Sequence, residues 1–247
     1  MQTTPDLDHP RAEAFRAFIK NLPFPCVGAK SALSKNQLEI VVARDITSAW
    51  DDLRIYPALR DFIALTRREP GLFRSFAVVF EGPGDLDEEA FERSLWARAQ
   101  SLSDKDAWHG QDYDSRVTSD PDSPHFSLSF GGEAFFIVGL HPGASRPARR
   151  FSSPAMVFNL HSQFAELRAQ GRYEKLRDSI LERDETLAGT RNPMLARHGE
   201  ISEARQYSGR AVDADWRCPL QPRIGAAAAP AWTLNPPLSL EELEVGP

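Results

Sequence analysis

A glycine pair, Gly131-Gly132, separates two short apolar runs, His125–Phe130 and Ala134–Leu140. Tandem glycines reach the positive φ that a tight hairpin needs, so the two runs are predicted to pair as antiparallel strands. Phe76–Phe80 is a continuous apolar run, and Met156–Leu160 and the β-branched Gln37–Ala43 are also of strand length. Together they predict a largely antiparallel sheet.

Helical spacing fills the intervals. Arg11–Ile19 carries Phe15, Phe18 and Ile19 on one face before Pro23 and Pro25 end it, and Phe24–Ala29 reads as a loop opening a second helix. Ile46–Arg67 repeats apolar residues (Trp50, Leu53, Leu59, Phe62, Leu65) at helical intervals, with a break or kink expected at Pro57. Asp87–Leu102 begins with acidic residues that suit a helix N-terminus. Asp104–Asp122 is polar and aperiodic and reads as a long surface loop. Ser162–Arg168 with Asn159 as cap, Tyr173–Leu187 after Gly171, and a short piece over Glu200–Tyr207 complete the helices. The expected fold class is α+β: a single domain over residues 11–220, with helices packed on a largely antiparallel sheet. An irregular Pro/Ala-rich C-terminal tail is expected over 221–247.

Bulk composition limits function. Apolar residues make up 41 % of the chain and charged residues 26 %, as in soluble globular domains. A net charge of −6 argues against nucleic-acid binding, which needs a basic face. No apolar run approaches the roughly 20 residues of a membrane span, and the polar start Met-Gln-Thr-Thr-Pro-Asp is unlike a signal peptide, so a cytoplasmic location is expected. Cys26 and Cys218 are expected to be free thiols.

Chemistry concentrates after the second hairpin strand. His141 ends that strand and opens a basic loop through Arg146, Arg149 and Arg150; His161 follows twenty residues later. Neutral imidazole ligates transition metals, and arginine forks match carboxylates and phosphates. Either histidine could equally hydrogen-bond a nearby carbonyl, and the arginines could form a solvated loop. The polar stretch from Asn192 to Arg210 contains His198, Glu200, Glu203 and Tyr207. It is too polar for core. Glu200 and Glu203 are candidates to bind a cationic substrate, and Tyr207 to donate a hydrogen bond. The glycine-rich nucleotide motifs, His-Glu-x-x-His and Gly-x-Ser-x-Gly do not occur.

Several blocks, in order, resemble the YqcI/YcgG family: Phe24-Pro-Cys26, His141-Pro-x-x-Ser-Arg-x-x-Arg-Arg-Phe151, Phe158-Asn-x-His-x-Gln-Phe164-x-x-Leu-Arg168, Arg183-Asp184, Asn192-Pro-Met-Leu195, His198-Gly-Glu200, Ser202-Glu-Ala-x-Gln-Tyr-Ser-Gly-Arg210 and Trp216-x-Cys-Pro219. The resemblance covers about residues 20 to 220. Members of this family with known activity are haem-dependent oxygenases that N-hydroxylate guanidine groups, on free arginine or on an arginine-derived cyclic guanidine in guanitoxin biosynthesis. It therefore implies haem b, O₂, a guanidino or amino-acid substrate, and an external reductase or ferredoxin. His141, His161, His198 and Cys26 are the candidates for the axial iron ligand. Arg146, Arg149 and Arg150 are candidates for the propionates, and Glu200, Glu203 and the more distant Asp184 for the guanidinium. Two alternatives stay open: a haem-binding sensor or carrier without turnover, and a non-haem iron site built from His141, His161 and Glu200 or Asp184.

Overall fold

The computed structural model describes residues 8–196 and 199–222. Five strands form one sheet: β1 (Leu38–Asp45), β2 (Ser75–Gly82), β3 (Leu128–Phe130), β4 (Glu133–Leu140) and β5 (Ala155–Leu160), in the order β1-β2-β5-β4-β3. β1 and β2 run parallel, with Val41 opposite Val78. The other neighbours are antiparallel, with Val78 opposite Met156 and Val138 opposite Val157. The parallel pair needs a crossover, which helix α3 (Asp52–Arg68) supplies. β3 and β4 form the expected hairpin, with Gly131 and Gly132 at φ of 56° and 77°. The chain is a single α+β domain with a mixed, mostly antiparallel sheet.

Alternation along the strands sorts side chains onto two faces. One face carries Phe76, Val78, Phe80, Phe135, Ile137, Met156 and Phe158, all buried beneath α3 and α4 (Glu88–Trp108). The other carries Ile40, Val42, Ala77, Val79, Val138, Leu140, Ala155 and Val157. Helices α1 (Pro10–Lys20), α2 (Val27–Ser34), α5 (His161–Ala169) and α6 (Tyr173–Ala188) lie on this second side. β3 pairs with β4 only as far as Phe135. Helix α7 (Ala204–Tyr207) packs against β4 beyond that point, and the Tyr207 hydroxyl donates to the Phe135 carbonyl at 3.2 Å.

Several elements depart from the sequence reading, each because tertiary partners outweigh local pattern. The expected loop over Asp104–Asp122 begins as helix, since α4 continues to Trp108. Its polar residues are anchored inside: the Asp106 carboxylate accepts from the Tyr56 hydroxyl (2.9 Å) and the Gly131 amide (2.9 Å), and Asp114 accepts from the Ala134 amide (2.8 Å). Of His125–Phe130 only Leu128–Phe130 joins the ladder. The helix expected from Ile46 starts at Asp52, leaving Trp50 and Leu53 each 70 % exposed, and it runs unbroken through Pro57. Asn159 is a strand residue rather than a cap: its Oδ1 accepts from the Ser75 hydroxyl at 2.9 Å, and α5 begins without a side-chain cap. Of Glu200–Tyr207 only Ala204–Tyr207 is helical. Nearly all of the expected tail over 221–247 lies outside the described residues.

Candidate functional site

The second face of the sheet is incompletely covered. Phe136, Val138, Val157 and Asn159, on the central strands, are only half-buried. Above them α6 spans 16 residues, yet Asp184 is its one buried side chain; Leu176, Ile180 and Leu181 are half-buried. Two adjoining hollows of about 210 Å³ each lie here and share Phe136, Ile180 and Leu195. Their walls are mostly apolar, the usual character of a small-molecule site.

One end of this space holds a buried polar cluster. His161, the first residue of α5, points Nε2 at Glu203, 2.8 Å from Oε1 and 3.0 Å from Oε2. The Ser127 hydroxyl lies 3.2 Å from Glu203 Oε2 and 3.0 Å from the Phe135 carbonyl, and the Tyr207 hydroxyl approaches Oε2 at 3.3 Å. Burial, followed by the charge of Glu203, pushes the Tyr207 phenol well above its ordinary range, so it stays a neutral donor. His161 and Glu203 line the first hollow, whereas Tyr207 stands behind them.

The other end holds Cys26, the N-cap of α2, whose Sγ accepts from the Ala29 amide at 3.4 Å and lines the second hollow. Burial raises its pKa, an effect opposed by the Ala29 and Gly28 amides and by Arg149. Burial depresses the Arg149 guanidinium to about 10.

The basic loop is knitted into the fold. Arg146 binds the Asp184 carboxylate (2.9 Å) and the Thr190 carbonyl (2.7 Å). Arg149 donates to the carbonyls of Gly139 (2.9 Å), Gln206 (3.2 Å) and Tyr207 (3.3 Å). Arg150 donates to the carbonyls of Ala144 and Ser145, both at 2.9 Å. Of the three, Arg149 lines a hollow.

His141 lies elsewhere. It follows β4 on the α4 side, stacked on Phe91 with ring centroids 4.2 Å apart, and its Nδ1 has no partner among the described residues. Burial lowers its pKa, the charge of Glu88 and the Leu86 carbonyl opposing. His141 and His161 therefore sit on opposite faces of the sheet and do not share one centre. Among the described residues, no three His, Cys, Asp or Glu side chains are grouped to hold a metal ion. The set of His141, His161 and Glu200 or Asp184 is not brought together among the described residues. Glu200 is exposed in a separate groove with Asp122, Arg205 and Arg217. His198 lies outside the described residues.

Sequence reasoning missed Ser127 and the α6 wall. Ser127 lay inside a predicted strand as an ordinary polar alternate. The α6 wall had a signal, the i, i+4 pair Leu176 and Ile180, which reads equally well as core.

The family match covers residues 15–221, most of the sequence. The chain belongs to the YqcI/YcgG family. This family member is similar to a protein of Bacillus subtilis (strain 168) named "Uncharacterized protein YqcI", at 27 % identity over 153 residues. The alignment spans 60 % of this chain and 59 % of that protein, so the chain covers less than two thirds of its relative. No solved structure matches. Among the described residues, no helix is long and apolar enough to cross a membrane.

Proposed function

We propose that this chain is a haem-dependent monooxygenase that N-hydroxylates a guanidino or amino nitrogen, using O₂ and electrons from an external reductase or ferredoxin. The observation that carries the reading is the apolar space beneath α6, with a half-buried thiol at one end and a buried carboxylate at the other. Family membership supports it, because the family resemblance implies that chemistry.

The residues suit haem b. The walls are mostly apolar, and the Cys26 thiol lines the second hollow at a helix N-terminus, where burial raises its pKa against the opposing amides and Arg149; a bound metal would take the proton's place. His161 also lines the space, but its Nε2 is engaged by Glu203, and His141 faces the other side of the sheet. Cys26 is therefore the residue that would hold the haem iron. Haem, when bound, supplies dioxygen activation and oxygen transfer to nitrogen; a thiolate ligand favours O–O cleavage.

The chain's own residues supply the rest. Two buried carboxylates line the hollows, and Asp184 is held by Arg146. Glu203, although paired with His161, is the carboxylate proposed to orient a cationic guanidinium, with the Ser127 and Tyr207 hydroxyls beside Oε2 and His161 Nε2 2.8 Å from Oε1. Tyr207 acts through Glu203 and is a positioning residue.

The test is direct. Purified protein reconstituted with haemin should show a Soret band, and its reduced carbon-monoxide complex should show a thiolate-type spectrum that Cys26→Ala loses. With arginine or a related guanidine, O₂ and a reducing system, mass spectrometry should detect the hydroxylated product. Absence of a Soret band would refute the haem assignment. A Soret band without product from any guanidine or amine would leave a sensor or carrier.

A further inference from the structure

The mouth of the first hollow carries cations that the proposed chemistry does not use. Arg168, near the end of α5, and Arg177, one turn into α6, both line it. Tyr173 stands with them: the Arg168 guanidinium lies 5.2 Å from the centre of its ring. Burial raises the Tyr173 phenol above its ordinary range, and the charges of both guanidiniums oppose that rise. Phe136, Phe164 and Tyr173 form an edge-to-face aromatic wall from the sheet to this mouth, with centroids 6.4 and 6.5 Å apart.

Their other attachments are slight. Beyond its ring contact, Arg168 forms no ion pair with a described residue. Arg177 makes one long hydrogen bond, 3.5 Å to the Leu195 carbonyl. Arg146, by contrast, is tied to Asp184 and Arg149 to three carbonyls. Two guanidiniums and a phenol that border an apolar hollow, without carboxylate partners in the described chain, match an anionic head on an apolar body.

We propose that Arg168, Arg177 and Tyr173 form a carboxylate-binding site at this mouth, gripping the acid group of a ligand whose apolar part fills the hollow. Bidentate guanidinium contacts and a phenol O–H would share the two oxygens, and the planar fork selects carboxylate over a neutral ester or alcohol. That the carboxylate is a haem propionate rests on the reading above; an amphipathic organic acid has the same chemistry. The assignment moves anion binding from the Arg146–Arg150 loop, whose guanidiniums are occupied, to the α5–α6 corner.

Binding to the full-length protein without haem separates the sources. In one arm haemin and haemin dimethyl ester are titrated, read by the Soret band; in the other decanoate and decanol are titrated by calorimetry. The wild type should prefer free acid over its neutral counterpart by about tenfold or more, the worth of one charge-assisted contact. Arg168→Gln with Arg177→Gln should abolish that preference while decanol or the dimethyl ester binds as before, and Tyr173→Phe should reduce it in part. Thermal melting checks that the variants fold. Loss of preference in the haemin arm assigns the site to a propionate. Loss in the decanoate arm, with no haemin binding by the wild type, keeps the site and removes the haem reading. An undiminished preference in the double variant, or no preference in the wild type in either arm, overturns the proposal.

Discussion

The two faces of the sheet are built from the same strands, yet one is closed and the other is open. Under α3 and α4 the strands present Phe76, Phe80, Phe135 and Phe158, all fully buried. One position along, the opposite face presents Ala77, Val79, Phe136 and Val157, and space remains beneath α6. Backbone geometry is common to both faces, so side-chain volume makes much of the difference. Large rings interdigitate to the density of a protein interior, whereas alanine and valine leave a gap that a helix standing on Asp184 does not fill. Stability is concentrated on the first face, and room for a ligand on the second.

Truncating a ring should reveal this division most strongly. Phe158→Ala opens a cavity in the filled face and should cost about 3–5 kcal/mol in denaturant unfolding. A loss below about 1 kcal/mol would mean that this face is less tightly packed than its burial implies.

The post that holds α6 over the open face comes next. Asp184→Asn leaves the buried Arg146 guanidinium uncompensated and should cost about 3 kcal/mol. It should also speed hydrogen exchange in α6 before α3 or α4. Uniform acceleration would show that α6 is not separately held.

A pair of adjacent substitutions sharpens the contrast. At Gly139, facing α4, an added Cβ would stand 2.7 Å from Leu95 Cδ1 and 2.8 Å from Phe91 Cε1, so Gly139→Ala should cost about 1–3 kcal/mol. Val138 lines the second hollow, and Val138→Ile should change stability by under about 0.5 kcal/mol. Equal costs at the two positions would break the comparison.

The smallest effect at neutral pH is titration of the closed face. Burial pushes Tyr56 and Cys218 up to about 12, and Tyr207 well above its ordinary value. The fold favours the neutral forms, so their contribution is complete below the unfolded-state values, about 9 for the thiol and about 10 for the phenols. It is lost as pH rises from there through about 12. Unfolding curves should be flat with respect to these groups up to pH about 9 and then fall, with phenolate absorbance appearing only on unfolding. Phenolate absorbance from Tyr56 or Tyr207 in the native protein near pH 10 would contradict their burial.

Much of the frame was legible because it rests on local rules. The Gly131-Gly132 turn, the acidic start of α4 and the short apolar runs in β2, β4 and β5 express backbone and composition constraints that act within a few residues. Legibility failed where partners were remote. Asp106 is helical and buried because Tyr56 and Gly131 meet it, contacts 50 and 25 residues away in the chain. The site shows the same limit. His141 and His161 looked equivalent as histidines near a basic loop, yet one stacks on Phe91 and the other meets Glu203. A count along β4 separates them only once the faces are known.

The sequence by itself determined the fold class, the hairpin, the family and the set of residues able to do chemistry, because these follow from composition, spacing and turn stereochemistry. Tertiary structure alone decided which of those residues meet. It tied Arg146 to Asp184, turned Arg149 and Arg150 onto backbone carbonyls, set Glu200 in a separate groove, and gathered Ser127, His161, Glu203 and Tyr207 into one buried cluster. The physical reason is that buried polar groups must find partners, and the nearest partner is fixed by packing across the sheet and not by distance along the chain.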